Sequence, residues 1–387
     1  MHVTSALAAL RLHLCPFTPR QRTALRELLP DPDALLRAGP SALAPVRPSV
    51  ALRDAWRRHD RTACERELDD CRKRDVRLLT RGSPDYPTGL HDLPDPPEVL
   101  WVRGTVPSNQ RVPVTLVGPR RPSPYGIRVT AELGAELARR GACLVSGGAR
   151  GLDAEAHRAA LRVGAPTVVV LGCGVEVTYP PEHRRLFADV VEADGAVVSE
   201  HPRDLRPRKH HFPIRNRLLA AWGRAVVLPE AALRSGSLVT ARLALELGRE
   251  VLAVPGPITA PTSEGTHALL RDGAALLRGA DDLLAELRPE DRTSLTNPEP
   301  EKTGCFDGDP GLLELLALFP ADRAVELDEI AEFGRFSGSE VARAAIRLEA
   351  LGRLRSLSDG RWLHLAGDGG SVPGTSSSRL DKPKTLG

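Results

Sequence analysis

The sequence predicts an α/β protein: a Rossmann-like parallel sheet core, preceded by an N-terminal helical module of the SAM or helix-hairpin-helix kind and followed by a C-terminal winged-helix domain. Three observations carry that expectation. From Pro84 onward, short β-branched runs closed by Gly alternate with amphipathic stretches of helical length, the pattern of strands buried on both faces and joined by helical crossovers. The first 80 residues hold only short Leu/Ala-rich stretches cut by Pro and Gly. After a polar, Pro-containing stretch at 289–304, three apolar segments precede a strand-like hairpin around Asp359-Gly360, which is the winged-helix order.

Along the front of the chain, periodicity predicts helices up to Leu14 and over 20–29, 32–37 and 49–74. The core then alternates strands expected at 112–117, 142–145, 167–171, 196–199, 225–228 and 250–254 with helices at 126–140, 153–163, 181–193 and 238–247. These readings place a helical domain at 1–80, the Rossmann-like core at 81–288, a linker at 289–304 and the winged helix at 305–366. The tail at 367–387, rich in Gly, Ser and Lys, is expected to be disordered.

A chain of 387 residues is long enough for two or three domains. Its net charge of +3 proves no polyanionic partner, but the distribution is uneven. Residues 1–80 hold 15 Lys+Arg against 10 Asp+Glu, whereas residues 305–366 hold 7 against 11. A polyanion should therefore meet the front and middle of the chain. Six scattered cysteines form no CxxC pair, no metal-ligand spacing appears, and no apolar run reaches 18 residues. The expectation is a cytoplasmic protein without a membrane span or a bound metal. The sequence has neither GxGxxG with its downstream acid nor GxxxxGK[ST], so no NAD or ATP cofactor is expected.

In open α/β sheets the ligand lies beyond the carboxyl ends of the strands. Those ends carry Gly118, Arg120, Arg121 and Ser123; Ser146, Gly147, Gly148 and Arg150; Gly172-Cys173-Gly174; and Ser235, Gly236 and Ser237. Gly for close approach, helix N-termini with free N–H groups and adjacent Arg together describe an anion site. Between the fourth and fifth of these strands, residues 203–217 hold six Lys+Arg and one acid around Phe212. Cations along a backbone beside an aromatic platform are how single-stranded nucleic acid is held. Lys209, Phe212, Arg215, Asn216 and Arg217 are the candidates here. Pro207 and Pro213 argue for an extended loop rather than a helix.

Seven ordered motifs then resemble one family. GPRRPSPYG (118–126), SGGARGLDAEAH (146–157), LGCGVEVTYPPEHRRL (171–186), SEHP (199–202), FPIRNRLLA (212–220), SGSLVTARLALELGREVLAVPG (235–256) and GTHALLRDGA (265–274) are similar to the core of the DprA/Smf, or DNA-processing protein A, family. The resemblance covers about residues 84–286. It implies a non-catalytic protein that protects incoming single-stranded DNA and loads RecA in natural transformation and recombination. It also implies a homodimer through His267, Leu270 and Leu276, with RecA bound near that surface. Pro119 and Pro122 depart from the family pattern and remove two N–H groups, leaving Arg120 and Ser123 to meet phosphate in that turn. Two other classes stay open. Glu200 or Glu230 could be the general base of a nucleotide phosphoribohydrolase-like enzyme. The winged helix could be a transcription regulator, with Arg343 and Arg347 giving weak duplex DNA contact, although that domain is net acidic.

Overall fold

The computed structural model describes residues 3–296, 315–316, 318–320, 323–332, 336–350, 354–357 and 361–364. The chain divides into two compact units, residues 1–301 and 302–387.

The first unit opens with five helices, α1 (Val3–Leu14), α2 (Pro19–Leu28), α3 (Pro32–Arg37), α4 (Val50–Arg58) and α5 (Arg61–Lys73). Thr18, Asp31, Ser49 and Asp60 cap the last four through side-chain oxygens, each meeting an N–H that the helix cannot pair. The Asp60 cap, accepting from the Ala63 N–H at 2.8 Å, divides the single helix expected over 49–74 into α4 and α5.

The core follows as β1 (Arg77–Thr80), β2 (Val99–Gly104), β3 (Pro113–Leu116), α6 (Pro124–Arg139), β4 (Cys143–Ser146), α7 (Leu152–Arg162), β5 (Thr167–Leu171), α8 (Arg184–Glu192) and β6 (Ala196–Ser199). It continues as α9 (His211–Trp222), β7 (Ala225–Leu228), α10 (Ser237–Glu246), β8 (Glu250–Ala253), α11 (Glu264–Arg271), β9 (Ala275–Leu276), α12 (Ala280–Glu286) and α13 (Pro289–Thr296). One sheet runs β1-β2-β6-β5-β4-β3-β7-β8-β9. It is parallel from β6 to β9, with β2 and β1 added antiparallel at one edge. Chain order reverses direction between β3 and β7, the switch point where such sheets bind ligands.

Three differences from the sequence reading have local causes. Strand β1 lies inside the segment read as purely helical, and β2 was not foreseen, because neither follows the strand–helix alternation. Pro289–Thr296 is the helix α13 rather than linker, and Leu295 is buried against the core. Residues 203–217 are only partly an extended loop: α9 begins at His211. Pro213 falls in its first turn, where a missing N–H costs nothing.

The helical segment is not an independent ball of helices. Leu7, Leu10, Leu12, Trp56 and Cys71 share one apolar cluster with Trp101, Val169, Leu171 and Phe187 of the sheet layer. Polar ties reinforce the join: Trp101 Nε1 donates to Glu67 at 3.0 Å, and Arg22 and Arg26 pair with Asp95 and Glu98. The five described cysteines are all buried and unpaired. No helix among the described residues is long and apolar enough to cross a membrane.

In the second unit, α14 (Leu327–Glu332) and α15 (Gly338–Ala350) precede β10 (Leu354–Ser356) and β11 (Trp362–His364), an antiparallel pair. Val325 forms a β-bridge to Trp362, and Ile330, Val341, Ala345, Leu348 and Leu354 are buried together. The Asp359-Gly360 turn and the tail at 367–387 lie outside the described residues.

His157 on α7 illustrates how tightly the core is closed. Thr167 Oγ1 donates to Leu144 O at 2.6 Å, so His157 Nδ1–H must be the donor in its 2.8 Å contact with Thr167. Complete burial pushes this imidazole down to about 3. The unfolded chain therefore takes up this proton first as pH falls below about 6.5, and stability declines toward the folded value by about 1.4 kcal/mol per pH unit. Thermal melts between pH 7 and 4.5 should fall less steeply for His157→Gln than for wild type; parallel curves would contradict the assignment.

Candidate nucleic-acid interface

The carboxyl edge of the parallel strands is built from turns that lean on one another. Gly151, at φ 79°, ends the β4–α7 turn, and its missing side chain lets that turn lie against Pro119 and Arg120 of the β3–α6 turn. Leu152 N donates to Pro119 O at 3.3 Å across the same junction. Ser123 N-caps α6, its hydroxyl accepting from Gly126 N at 3.1 Å and its own N–H donating to Glu230 at 3.0 Å. Glu230 is buried at 1% exposure, so this carboxylate closes the start of α6.

Arg215 is the central support. Its guanidinium, 5% exposed, donates to Gly147 O at 2.7 Å and to Val170 O. A side chain at Gly147 would collide with this guanidinium and with Asp153. Burial pushes the Asp153 carboxyl up, against the pull of the Arg215 charge and of N–H bonds from Ala149 and Gly118. Arg215 was expected in the basic groove; its position in the interior makes it a positioning residue instead.

Arg217 differs from expectation for a similar reason. It pairs with Glu200 and donates to Asp95 O at 3.0 Å. Glu200 is itself buried, and burial raises its carboxyl. The peptide oxygen of Glu200 accepts from His13 Nε2 at 2.7 Å while His13 Nδ1 accepts from Val99 N, which fixes a neutral imidazole. Arg203 reaches Glu67, Asp70 and Glu176, joining the start of the basic loop to α5. Ser146 is fully buried, with its hydroxyl donating to Leu116 O at 2.7 Å. Gly118 packs under Leu152, and Gly148, at φ 66°, sits against Val169 and Phe187. Ser235 and Ser237 bond each other at 2.7 Å, Ser237 being buried and Gly236 exposed. The Ser146, Ser235 and Ser237 hydroxyls are thus engaged within the protein.

The groups that do face solvent converge. Arg120, Arg121, Arg206, Arg208 and Lys209 are exposed, and among the described residues none is paired with a carboxylate. Phe212, second residue of α9, is half-buried, with the Arg120 guanidinium 5.5 Å from its ring centre. Tyr179, 40% exposed, also packs on Phe212, with ring centres 5.5 Å apart and planes inclined at 41°. Asn216 follows on α9, half-buried. Arg150 is exposed but paired with Glu182. His201 packs on His211 at 4.5 Å, and burial holds it down to about 4, so it is neutral at pH 7. The positive charge here is therefore that of arginine and lysine. Tyr179 was missed in the sequence because a lone Tyr before Pro180-Pro181 reads as a turn residue.

A family model, that of DNA recombination-mediator protein A, matches residues 77–288. The chain belongs to this family. Its relatives include the protein Smf of Escherichia coli (strain K12), 38% identical over 73% of this chain and 76% of that protein. The DNA processing protein DprA of Bacillus subtilis (strain 168) is 37% identical over 60% of this chain and 78% of its own length. Among solved structures, DNA processing protein A from Streptococcus pneumoniae superposes with a TM-score of 0.63 at 30% identity, over 73% of this chain and 98% of that one. The family match ends before the second unit, and its 77–288 span contains every strand of the large sheet. Membership in a DNA recombination family agrees with the converging cations.

The dimer candidates lie on α11 and β9, beside the end of β8. His267 Nε2 donates to Gly256 O at 3.0 Å, Leu270 is half-buried on α11, and Leu276 is 45% exposed on the edge strand β9.

The two kinds of arginine make opposite predictions. Arg215→Ala removes the partner of two interior carbonyls, each worth about 1–3 kcal/mol when left unsatisfied, and should lower the melting temperature sharply. Arg120→Ala should melt as wild type does. Thermal unfolding of the two variants checks this, and an unchanged melt for Arg215→Ala would refute the positioning role.

Proposed function

We propose that this chain is a non-catalytic single-stranded DNA-binding protein that shields the strand and passes it to the RecA recombinase, acting as a homodimer in natural transformation and recombination. One observation carries the reading: five exposed cations, with no carboxylate partner among the described residues, lie on the two turns beside the half-buried Phe212, and the Arg120 guanidinium is over its ring. Exposed cations in a row suit a phosphate backbone, and the ring suits a base of any identity. An unpaired base is what the aromatic requires; in a duplex the base faces are stacked away. Of the two carboxylates considered for general-base catalysis, Glu230 is held by the Ser123 N–H and Glu200 by Arg217, which supports binding without turnover. RecA contact, dimerisation through Leu270 and Leu276 and a winged-helix second unit belong to the proposal on the strength of the family resemblance.

Binding of oligo(dT) should weaken steeply with salt, at a slope of about −0.7 per phosphate neutralised, and should exceed binding of duplex of equal length. Lys209→Ala should make that slope about one unit shallower. Phe212→Ala should weaken binding by about 1–3 kcal/mol with little change in slope. Salt-independent binding, or a preference for duplex, would reject the function. Leu270→Glu/Leu276→Glu should sediment as a folded monomer, and an unchanged dimer would reject the interface.

A further inference from the structure

We infer that Tyr179 is a second base-stacking residue, so that this edge holds two neighbouring bases rather than one. The inference rests on the single-strand reading above and adds a residue to its site. Tyr179 is an exposed aromatic side chain, at 40%. Its neighbour across the edge is Phe212, 5.5 Å away and inclined at 41°, and the Arg120 guanidinium also lies over the Phe212 ring. Guanidinium, ring and ring thus form one row of contacts, through Phe212, that joins the β3–α6 turn to the β5–α8 turn.

The spacing decides how the row can be used. A base inserted between two rings needs about 7 Å, twice the ~3.5 Å carbon contact distance. The 5.5 Å separation is too small for that. Each ring must instead offer a separate face, and an exposed Tyr179 beside an occupied Phe212 then meets the adjacent nucleotide.

The turn that carries Tyr179 is also held in place before any ligand arrives. Gly174 N donates to Leu205 O at 2.8 Å and Glu176 N to Arg203 O at 2.9 Å, tying it to the basic loop. Cys173 Sγ donates to Val177 O at 3.4 Å. Gly172 lies so close to Phe212 that a Cβ there would stand 3.2 Å from the ring. A ring fixed on a pinned turn loses little freedom when a base stacks on it. The Arg150–Glu182 ion pair flanks the same turn.

Oligonucleotides lacking bases separate stacking from support of the fold. Wild type should bind oligo(dT) about 5- to 150-fold more tightly than an abasic strand of equal length for each base that stacks. Tyr179→Ala should lose affinity for oligo(dT) while binding the abasic strand as wild type does, so its base-dependent ratio shrinks. Tyr179→Phe should keep the full ratio, because the ring and not the hydroxyl acts. Should Tyr179→Ala melt below wild type, Tyr179→Leu, which keeps apolar bulk without a π-face, replaces it and should show the same shrunken ratio. An undiminished ratio in these variants, with wild type binding oligo(dT), overturns the role of Tyr179 and leaves the single-strand reading standing. A wild type that fails to bind oligo(dT) overturns both.

Discussion

The guanidinium of Arg215 donates to carbonyls of two different strand-end segments, Gly147 after β4 and Val170 in β5, from a site closed to water. The charge itself is tolerable only because its donors meet oxygen and Asp153 lies close by. Every other feature of the carboxyl edge sits on this knot. Gly147 must lack a side chain to admit the guanidinium. The β4–α7 turn then reaches the β3–α6 turn through Gly151, which sets where Arg120 stands. Since Arg215 belongs to α9, the same helix that carries Phe212 in its first turn is fixed to the sheet through its own middle.

The arginines of this protein therefore divide by environment rather than by sequence neighbourhood. Arg203, Arg215 and Arg217 come from the same basic stretch as Arg206, Arg208 and Lys209. The first three are consumed by Glu67, Asp70, Glu176, Glu200 and interior carbonyls. Exposed surface pairs contribute little, but Arg203 and Arg217 are largely enclosed, and Arg203 links the helical segment to the loop after β6. What is left at the surface is a smaller and better-defined set of cations than a count of charges implies.

Much of this architecture was legible in the sequence. Continuous apolar runs such as 167–171 and 196–199 specify buried parallel strands, and both lie where the pattern put them. Glycines and arginines at strand ends located the edge. Periodicity could not separate a side chain that faces solvent from one that turns inward one helical step later: Phe212, Arg215 and Asn216 follow closely on α9, yet only Arg215 is buried. Nor could a local reading see β2, which joins the sheet by pairing with β6, about a hundred residues further on, or β1, which pairs on β2. Tyr179 acquires meaning only through its distance to Phe212, a contact between segments that the sequence keeps apart.

Five exposed cations on two neighbouring turns, none of them in an ion pair among the described residues, also have a consequence for the free protein. Like charges held this close repel one another, and the fold bears that electrostatic frustration whenever the edge is empty. Salt then acts in opposite senses on the two states of the molecule. Mobile anions screen the repulsion and steady the unliganded edge, while the same ions compete with a polyanion for the cations. The surface is tense by construction when bare, and a strand of phosphates would relieve it.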